Sequence, residues 1–521
     1  MLRVNRIFGP DDGLARASEF ARAFHGGCWP GTANASKISR WETAALRAPH
    51  QAIRRYEELL GLKPGLLASA ADNVHAYYCP DPRCPGADGW SLPRRGPVPI
   101  ARISELIDKA SSDDVMTGRD WDEITRVISA EPRFFISPAN TWAALAERLL
   151  AEQIVADGTA WLLRFGAMVR LLNHPVAQQS AIAACASLGA DRSNQVGIEV
   201  ICALDVTGHR DASHHVLAQL ARPASDQSFY GALLACVRKV ARGHFTAEQL
   251  TFLMSVVLSL LDDPVRHDDA RTLAASLLRR MPAGLSPAIA ARLRRPTAAD
   301  VVLSRVVTTG RLADQARACD CVLRVVTAAG ARMPREGPWP YDGMLATLVD
   351  EILYSPLPDV RLYAGVAVRA TPYRGPVAAA LGTELSRIGV ADHGDLSVCI
   401  MDALRLLGGA PQRAIVERFT LNPGLPPPVR VSAARNLGHL GGTSEDRYWI
   451  RAIDLHSQLA RRHQSPASGA TLRGLVYALG MARNDALLAR IRDRPEVPGQ
   501  ARAAASWWLG HPRRIRDSAA V

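Results

Sequence analysis

The chain has 521 residues, a formal net charge of +12, and a composition that is 48% hydrophobic and 6% aromatic. That length exceeds what one hydrophobic core organises, and that apolar share excludes a wholly disordered chain. All 62 basic residues except Lys37, Lys63, Lys109 and Lys239 are Arg, a bias that a GC-rich coding sequence produces regardless of function. Where the charge sits therefore says more about a polyanionic partner than its total.

The excess lies at two ends. Residues 1–70 hold ten Lys/Arg against six Asp/Glu, and residues 430–521 hold fifteen Arg against seven acids. The first ten residues lack an apolar signal core, and no run of about 18 apolar residues is present, so no membrane span is expected. Nine Cys, several in apolar helical contexts (Cys185, Cys202, Cys236, Cys399), suit a reducing cytoplasm better than a disulfide framework. Abundant Ala, Leu and Arg favour helix over strand, so the expected class is all-α.

In chain order, a first helix is predicted over 12–25, with Leu14, Ala17, Ala21 and Phe24 on one face and Asp11 and Asp12 at its positive end. Gly26-Gly27 stops it, and Cys28-Trp29-Pro30-Gly31 makes a turn. Thr32 or Asn34 caps a second helix whose Ile38, Trp41 and Ala45 face inward. Pro49 opens a third, burying Ile53, Tyr56, Leu59 and Leu60 and ending at Gly61. Leu66 and Leu67 mark a short fourth helix starting near Pro64.

Residues 73–100 read as a Pro-rich linker, on account of the prolines around Cys79 and Cys84 and the run Pro93 to Pro99. Helix after helix follows from 101 to 512, and 513–521 is a basic tail. A loose motif recurs in this stretch: a Pro, then Val-Arg or similar, then an Ala-rich helix. It occurs at Pro175, Pro264, Pro358 and Pro428, with a weaker copy at Pro498. Spacings of 70 between the last three copies, and about 90 earlier, fit two repeats of roughly 35–45 residues each. This pattern resembles the HEAT or armadillo class of α-solenoid, which implies stacked helix pairs and an extended surface for a peptide, a protein or a nucleic-acid duplex.

The segment Ala35-Ser36-Lys37-Ile38-Ser39-Arg40-Trp41-Glu42 resembles the recognition helix of the XRE (lambda-repressor/Cro-like) helix-turn-helix family. Ile53-Arg54-Arg55-Tyr56-Glu57-Glu58-Leu59-Leu60-Gly61-Leu62 resembles that family's next, packing helix. The resemblance covers about 60 residues, within an expected helix-turn-helix domain at 1–72, and implies double-stranded DNA as partner, with a homodimer on paired half-sites. The stretch His25 to Ala33 is about seven residues longer than the family's tight turn, and the family's extra N-terminal helix is missing or reduced to residues 1–10.

The residues agree with that resemblance. Ile38 and Trp41 are three apart and share a buried face, so Ser36, Lys37, Ser39, Arg40 and Thr43 project from others. With Asn34 these are short polar groups at a helix N-terminus, suited to phosphate or base edges. Arg40 reads a guanine through O6 and N7 or binds phosphate; Lys37, Arg47, Arg54 and Arg55 are candidate backbone contacts. Glu42 is expected to orient local backbone or an Arg.

No metal or cofactor is assigned. His75, Cys79 and Cys84 are too few for a zinc site, and Cys28 and His25 are remote in sequence. Cys319 and Cys321 point apart at helical spacing, Asp262-Asp263 and Asp268-Asp269 read as solvated caps, and Trp507 or Trp508 closes the last repeat. No phosphate-binding loop, nucleophile elbow, zinc-protease or dinucleotide motif occurs.

The expected function is a bacterial DNA-binding transcriptional regulator, cytoplasmic and not an enzyme, whose repeats dimerise, sense or recruit. The alternative is an interaction scaffold that does not bind DNA. A third reading, a helical-repeat DNA glycosylase, has no catalytic constellation behind it.

Overall fold

The computed structural model describes residues 1–79, 100–263, 268–282, 301–333, 342–387, 389, 394–463 and 466–521. Among these, every element is a helix, and the only β-type pairing is an isolated bridge between Gly26 and Trp29. The all-α class expected from composition is therefore the class observed. No helix among the described residues is long and apolar enough to cross a membrane.

The chain forms two compact units. One comprises Met1–Pro97, Cys319–Leu353 and Asp359–Gly510; the other comprises Val98–Ala318, Tyr354–Pro358 and His511–Val521.

In the first unit, the N-terminal module consists of α1 (Leu2–Ile7), a 3-10 turn at Asp12–Ala15, α2 (Ala17–Ala23), α3 (Ala35–Glu42), α4 (His50–Leu59) and α5 (Leu66–Tyr78). The helix expected over 12–25 is split, because Arg16 is extended at φ −85°, ψ 132°. Helix α3 stops at Glu42, and Ala44 turns the chain at φ +59°, so Ala45 is exposed rather than inward. Leu59 is half-buried, and Leu60 carries the contact instead.

Helix α5 runs through Tyr78, into the stretch expected as linker, because its Leu67, Ala68 and Ala70 supply a buried face and no Pro interrupts it. Its N-terminus is capped from a distance. The buried Glu57 carboxylate accepts from the N–H groups of Gly65 (2.7 Å), Leu67 (2.7 Å) and Ala68 (2.9 Å). Burial pushes the Glu57 carboxyl up, against the pull of those three donors. Residues 80–99, with Cys84, lie outside the described residues.

The module is docked within its unit. Asn5 Nδ2 donates to the Ala370 carbonyl at 2.7 Å, Tyr77 stacks on Tyr363 at 4.5 Å, and Tyr78 Oη donates to Glu351 at 3.3 Å.

The rest of this unit includes helical hairpins: Ala410–Thr420 with Pro427–Asn436, Asp446–His463 with Pro466–Met481, and Asp485–Asp493 with Gly499–Leu509. The second helices of these pairs pack on one another in sequence. They begin at 427, 466 and 499, so one full hairpin lies between the Pro428 and Pro498 markers. Pro358 also opens a helix, whereas Pro264 lies outside the described residues. Close approach has a local cause: a Cβ on Gly480 would stand 2.1 Å from the Trp508 ring, and that ring is 1% exposed.

In the second unit, Gly118–Ala130 packs on Gly158–Asn173, Thr141–Ile154 on Gln178–Ala190, and Gly197–Cys202, Asp226–Ala241 and Asp268–Arg280 follow in a row. Residues 513–519, expected in a solvated tail, form the helix Arg513–Ala519 with Ile515, Ser518 and Ala519 buried. Its place is fixed by an ionic knot. Glu152 is fully buried and accepts from Trp121 Nε1 (2.7 Å), Arg148 Nε (2.9 Å) and Arg164 Nε (3.2 Å). Arg164, also fully buried, donates to the carbonyls of Met116 (2.8 Å) and Ser518.

A second buried polar cluster pairs Asp205 with Arg238 at 2.8 Å and places Lys239 Nζ 2.8 Å from the Thr207 carbonyl. Burial draws the Lys239 ammonium down to about 8. Burial, with the positive charges of Lys239, Arg242 and Arg238, draws His244 down to about 4.

Two outcomes are expected. Arg164→Leu removes one of the two guanidinium partners of buried Glu152, leaves the Met116 and Ser518 carbonyls without their donor, and destabilises the second unit by about 3–5 kcal/mol, read by urea unfolding. His244 binds its proton less readily folded than unfolded, so the unfolded chain holds more protons between pH 6.5 and about 4. Stability contributed by neutral His244 is thus present above that window and lost as pH falls through it. His244→Gln flattens this part of the Tm-versus-pH curve; an unchanged curve counts against the assignment.

Candidate nucleic-acid interface

Helix α3 has eight residues, too short to hold its shape in isolation, so its position depends on what its buried face meets. Ile38 is 0% and Trp41 4% exposed. Trp41 lies among aromatic rings, with centroids 5.6 Å from Phe24 and 5.5 Å from Trp29, the latter edge-on. Phe24 in turn meets Trp29 at 5.7 Å and Tyr56 at 5.6 Å, and Phe20 meets Tyr56 at 4.6 Å. These separations fall in the favourable edge-to-face and tilted range.

The long turn before α3 is thus a packed element. Gly26 and Gly27 take φ of +90° and +60°, which lets the chain reverse and drives Trp29 into the cluster. Arg55 fixes the same turn from α4. Its guanidinium donates to the carbonyls of Phe24 (3.1 Å), Ala23 (3.0 Å) and His25 (3.0 Å), and pairs with Glu58 at 3.0 Å. Cys28 Sγ donates to the Gln51 carbonyl at 3.6 Å, and burial pushes this thiol up to about 11. Cys79 ends α5, half-buried.

The far end of α3 is held by charge. Glu42 accepts from Arg6 Nε at 2.6 Å and Arg6 Nη2 at 2.8 Å, and from Tyr56 Oη at 3.1 Å. The hydrogen bond to Glu42 raises the Arg6 pKa, and Arg6 also donates to the Ala15 carbonyl. Glu42 therefore ties α3 to α1 and α4, in line with its expected orienting role toward an Arg.

With one side anchored, Ser36, Ser39, Arg40 and Thr43 are exposed together on the opposite side of the helix. Asn34 caps α3 by accepting from the Lys37 N–H at 2.8 Å. Thr43 Oγ1 donates back to the Ser39 carbonyl at 2.9 Å. The Arg40 side chain makes no hydrogen bond or ion pair among the described residues, and that of Arg54 on α4 is likewise exposed without one.

Lys37 and Arg55 depart from the sequence reading. Lys37 Nζ lies 5.4 Å from both the Trp29 and Trp41 rings and donates to the Thr32 carbonyl at 3.3 Å, so it shields the aromatic cluster. Arg55, expected to contact a DNA backbone, is 13% exposed in its side chain and occupied by the turn. Arg47 is half-buried, and its charge adds to the burial that lowers the pKa of His75.

Sequence reasoning missed Arg6 and Glu57, because their partners are Glu42 and the α5 N-terminus, contacts of the tertiary fold. Comparison of the chain with protein-family models, with curated proteins and with solved structures finds no match.

Trp29→Ala is expected to destabilise the module by about 3–5 kcal/mol and to release Lys37 from its seat. Thermal unfolding followed at the remaining tryptophans checks this. A melting curve unchanged from wild type would show that the turn does not position α3.

Proposed function

We propose that the protein is a DNA-binding transcriptional regulator in which α3 enters the major groove and a HEAT-like α-solenoid serves dimerisation, sensing or recruitment. The observation that carries this reading is the exposed polar stripe Ser36, Ser39, Arg40 and Thr43 opposite a rigid aromatic anchor. Eight helical residues rise about 12 Å, close to the width of that groove. Arg40 is the base-reading or phosphate-binding group. Asn34, Ser36, Ser39 and Thr43 are the short polar contacts, and Arg54 and Arg47 flank them. Lys37 reaches a phosphate only by leaving its indole seat, and Arg55 supports the site from behind. A homodimer on paired half-sites follows by analogy with XRE-type readers.

The second reading, an interaction scaffold with a repurposed module, draws support from Lys37 and Arg55. Two of the four basic residues assigned to the DNA backbone are engaged within the protein.

Gel shifts with fragments of the native genome separate the two readings. Wild type is expected to select a recurrent sequence, and Arg40→Ala to weaken binding by about 1–3 kcal/mol, or roughly 5- to 150-fold. Lys37→Ala is expected to leave the salt dependence of binding nearly unaltered, since a residue that does not meet a phosphate releases no counterion. Absence of binding by wild type at micromolar protein and moderate salt would leave the scaffold reading.

A further inference from the structure

The helix Asp446–His463 buries Tyr448, Trp449, Ala452, Ile453 and His456, and turns Arg447, Arg451, Gln458, Arg461 and Arg462 to solvent. Along this exposed ridge lies an open cleft of about 630 Å³. Its apolar lining is Leu421, Ile450 and Leu455, all half-buried, and its polar lining includes Arg447, Arg451 and Asp454. Asp454 is engaged by Arg494 at 2.9 Å, and Arg447 pairs with Glu445 across solvent, an arrangement worth little in water. Arg451 has no hydrogen-bond or ion-pair partner among the described residues. The cleft thus combines an apolar strip with a positive edge.

We propose that this cleft is a docking site for an acidic amphipathic helix of a partner protein. The lined stretch from Arg447 to Gln458 rises about 16 Å, or three helical turns, which suits a helix laid into a groove with apolar anchors at i, i+3 or i+4, and i+7. Leu421, Ile450 and Leu455 receive the anchors; Arg451 and Arg447 meet carboxylates flanking them. A nucleic-acid backbone matches the chemistry less well. It offers nothing to the three apolar side chains. Arg is enriched at protein–protein interfaces, whose buried centre is more apolar than the rim. The inference does not rest on the reading of α3.

The test uses the full chain and a fluorescent 18-residue peptide with Leu at the i, i+3/i+4 and i+7 positions and Glu beside them. A second peptide has the same composition, scrambled to destroy the apolar stripe. Anisotropy titration is expected to give micromolar binding of the first peptide and at least about tenfold weaker binding of the second. Arg451→Glu and Leu455→Asp should each weaken the first peptide about tenfold or more, while Arg451→Lys retains most of the affinity and Arg490→Glu, outside the cleft, changes nothing. Arg451 is exposed, so its variants should match wild type in helical circular dichroism and Tm, which separates lost docking from lost folding. Equal binding of both peptides, displacement by a duplex DNA oligonucleotide whose own binding falls with Arg451→Glu, or no peptide binding up to about 100 µM would each overturn the proposal.

Discussion

The placement of α3 depends on one constraint: Trp41 is packed against Phe24 and Trp29, and Phe24 in turn against Tyr56. A helix of eight residues gains little from its own hydrogen bonds, so the aromatic contact supplies its orientation and the Glu42 pair with Arg6 locks its end. Everything on the exposed stripe inherits its direction from those two attachments. The cluster draws its members from α2, α3, α4 and the intervening turn, so none of these elements moves without disturbing the others.

Much of the module was legible in the sequence because its signals are local. Asn34 as a cap, Ile38 and Trp41 as the inward pair, Pro49 before α4 and Gly61 after it each follow from the chemistry of one turn of chain. What was illegible depends on distance in sequence. Nothing near Arg55 announces that its guanidinium bonds to carbonyls 30 to 32 residues earlier, and charge alone made it look like a phosphate contact. Lys37 misleads similarly, because Trp29, which shares its seat, comes from a turn whose glycines and proline look like mere spacing.

The remaining helices divide along the same line. The prolines marked helix starts at 358, 427–428 and 498–499 because a Pro at the first turn is a local matter. The pairing of helices, and the folding of 513–519 against helices from the 100s, required Arg164 and Glu152 to meet, and neither residue is distinctive by itself. A basic tail and a buried helix with basic flanks have the same composition; Ile515 and Ser518 decide between them through burial.

The attachment of the N-terminal module at both of its ends carries a consequence for recognition. Asn5 on α1 and Tyr77 on α5 both bind the same region of their unit, at Ala370 and Tyr363. A reader on a flexible tether explores many orientations and gives up that rotational freedom on each encounter. A module clamped at its first and last helices has given it up already during folding. Whatever α3 meets, the angle of approach belongs to the helical scaffold and not to the module alone, so changes at residues 363 and 370 bear on that angle without touching the ligand.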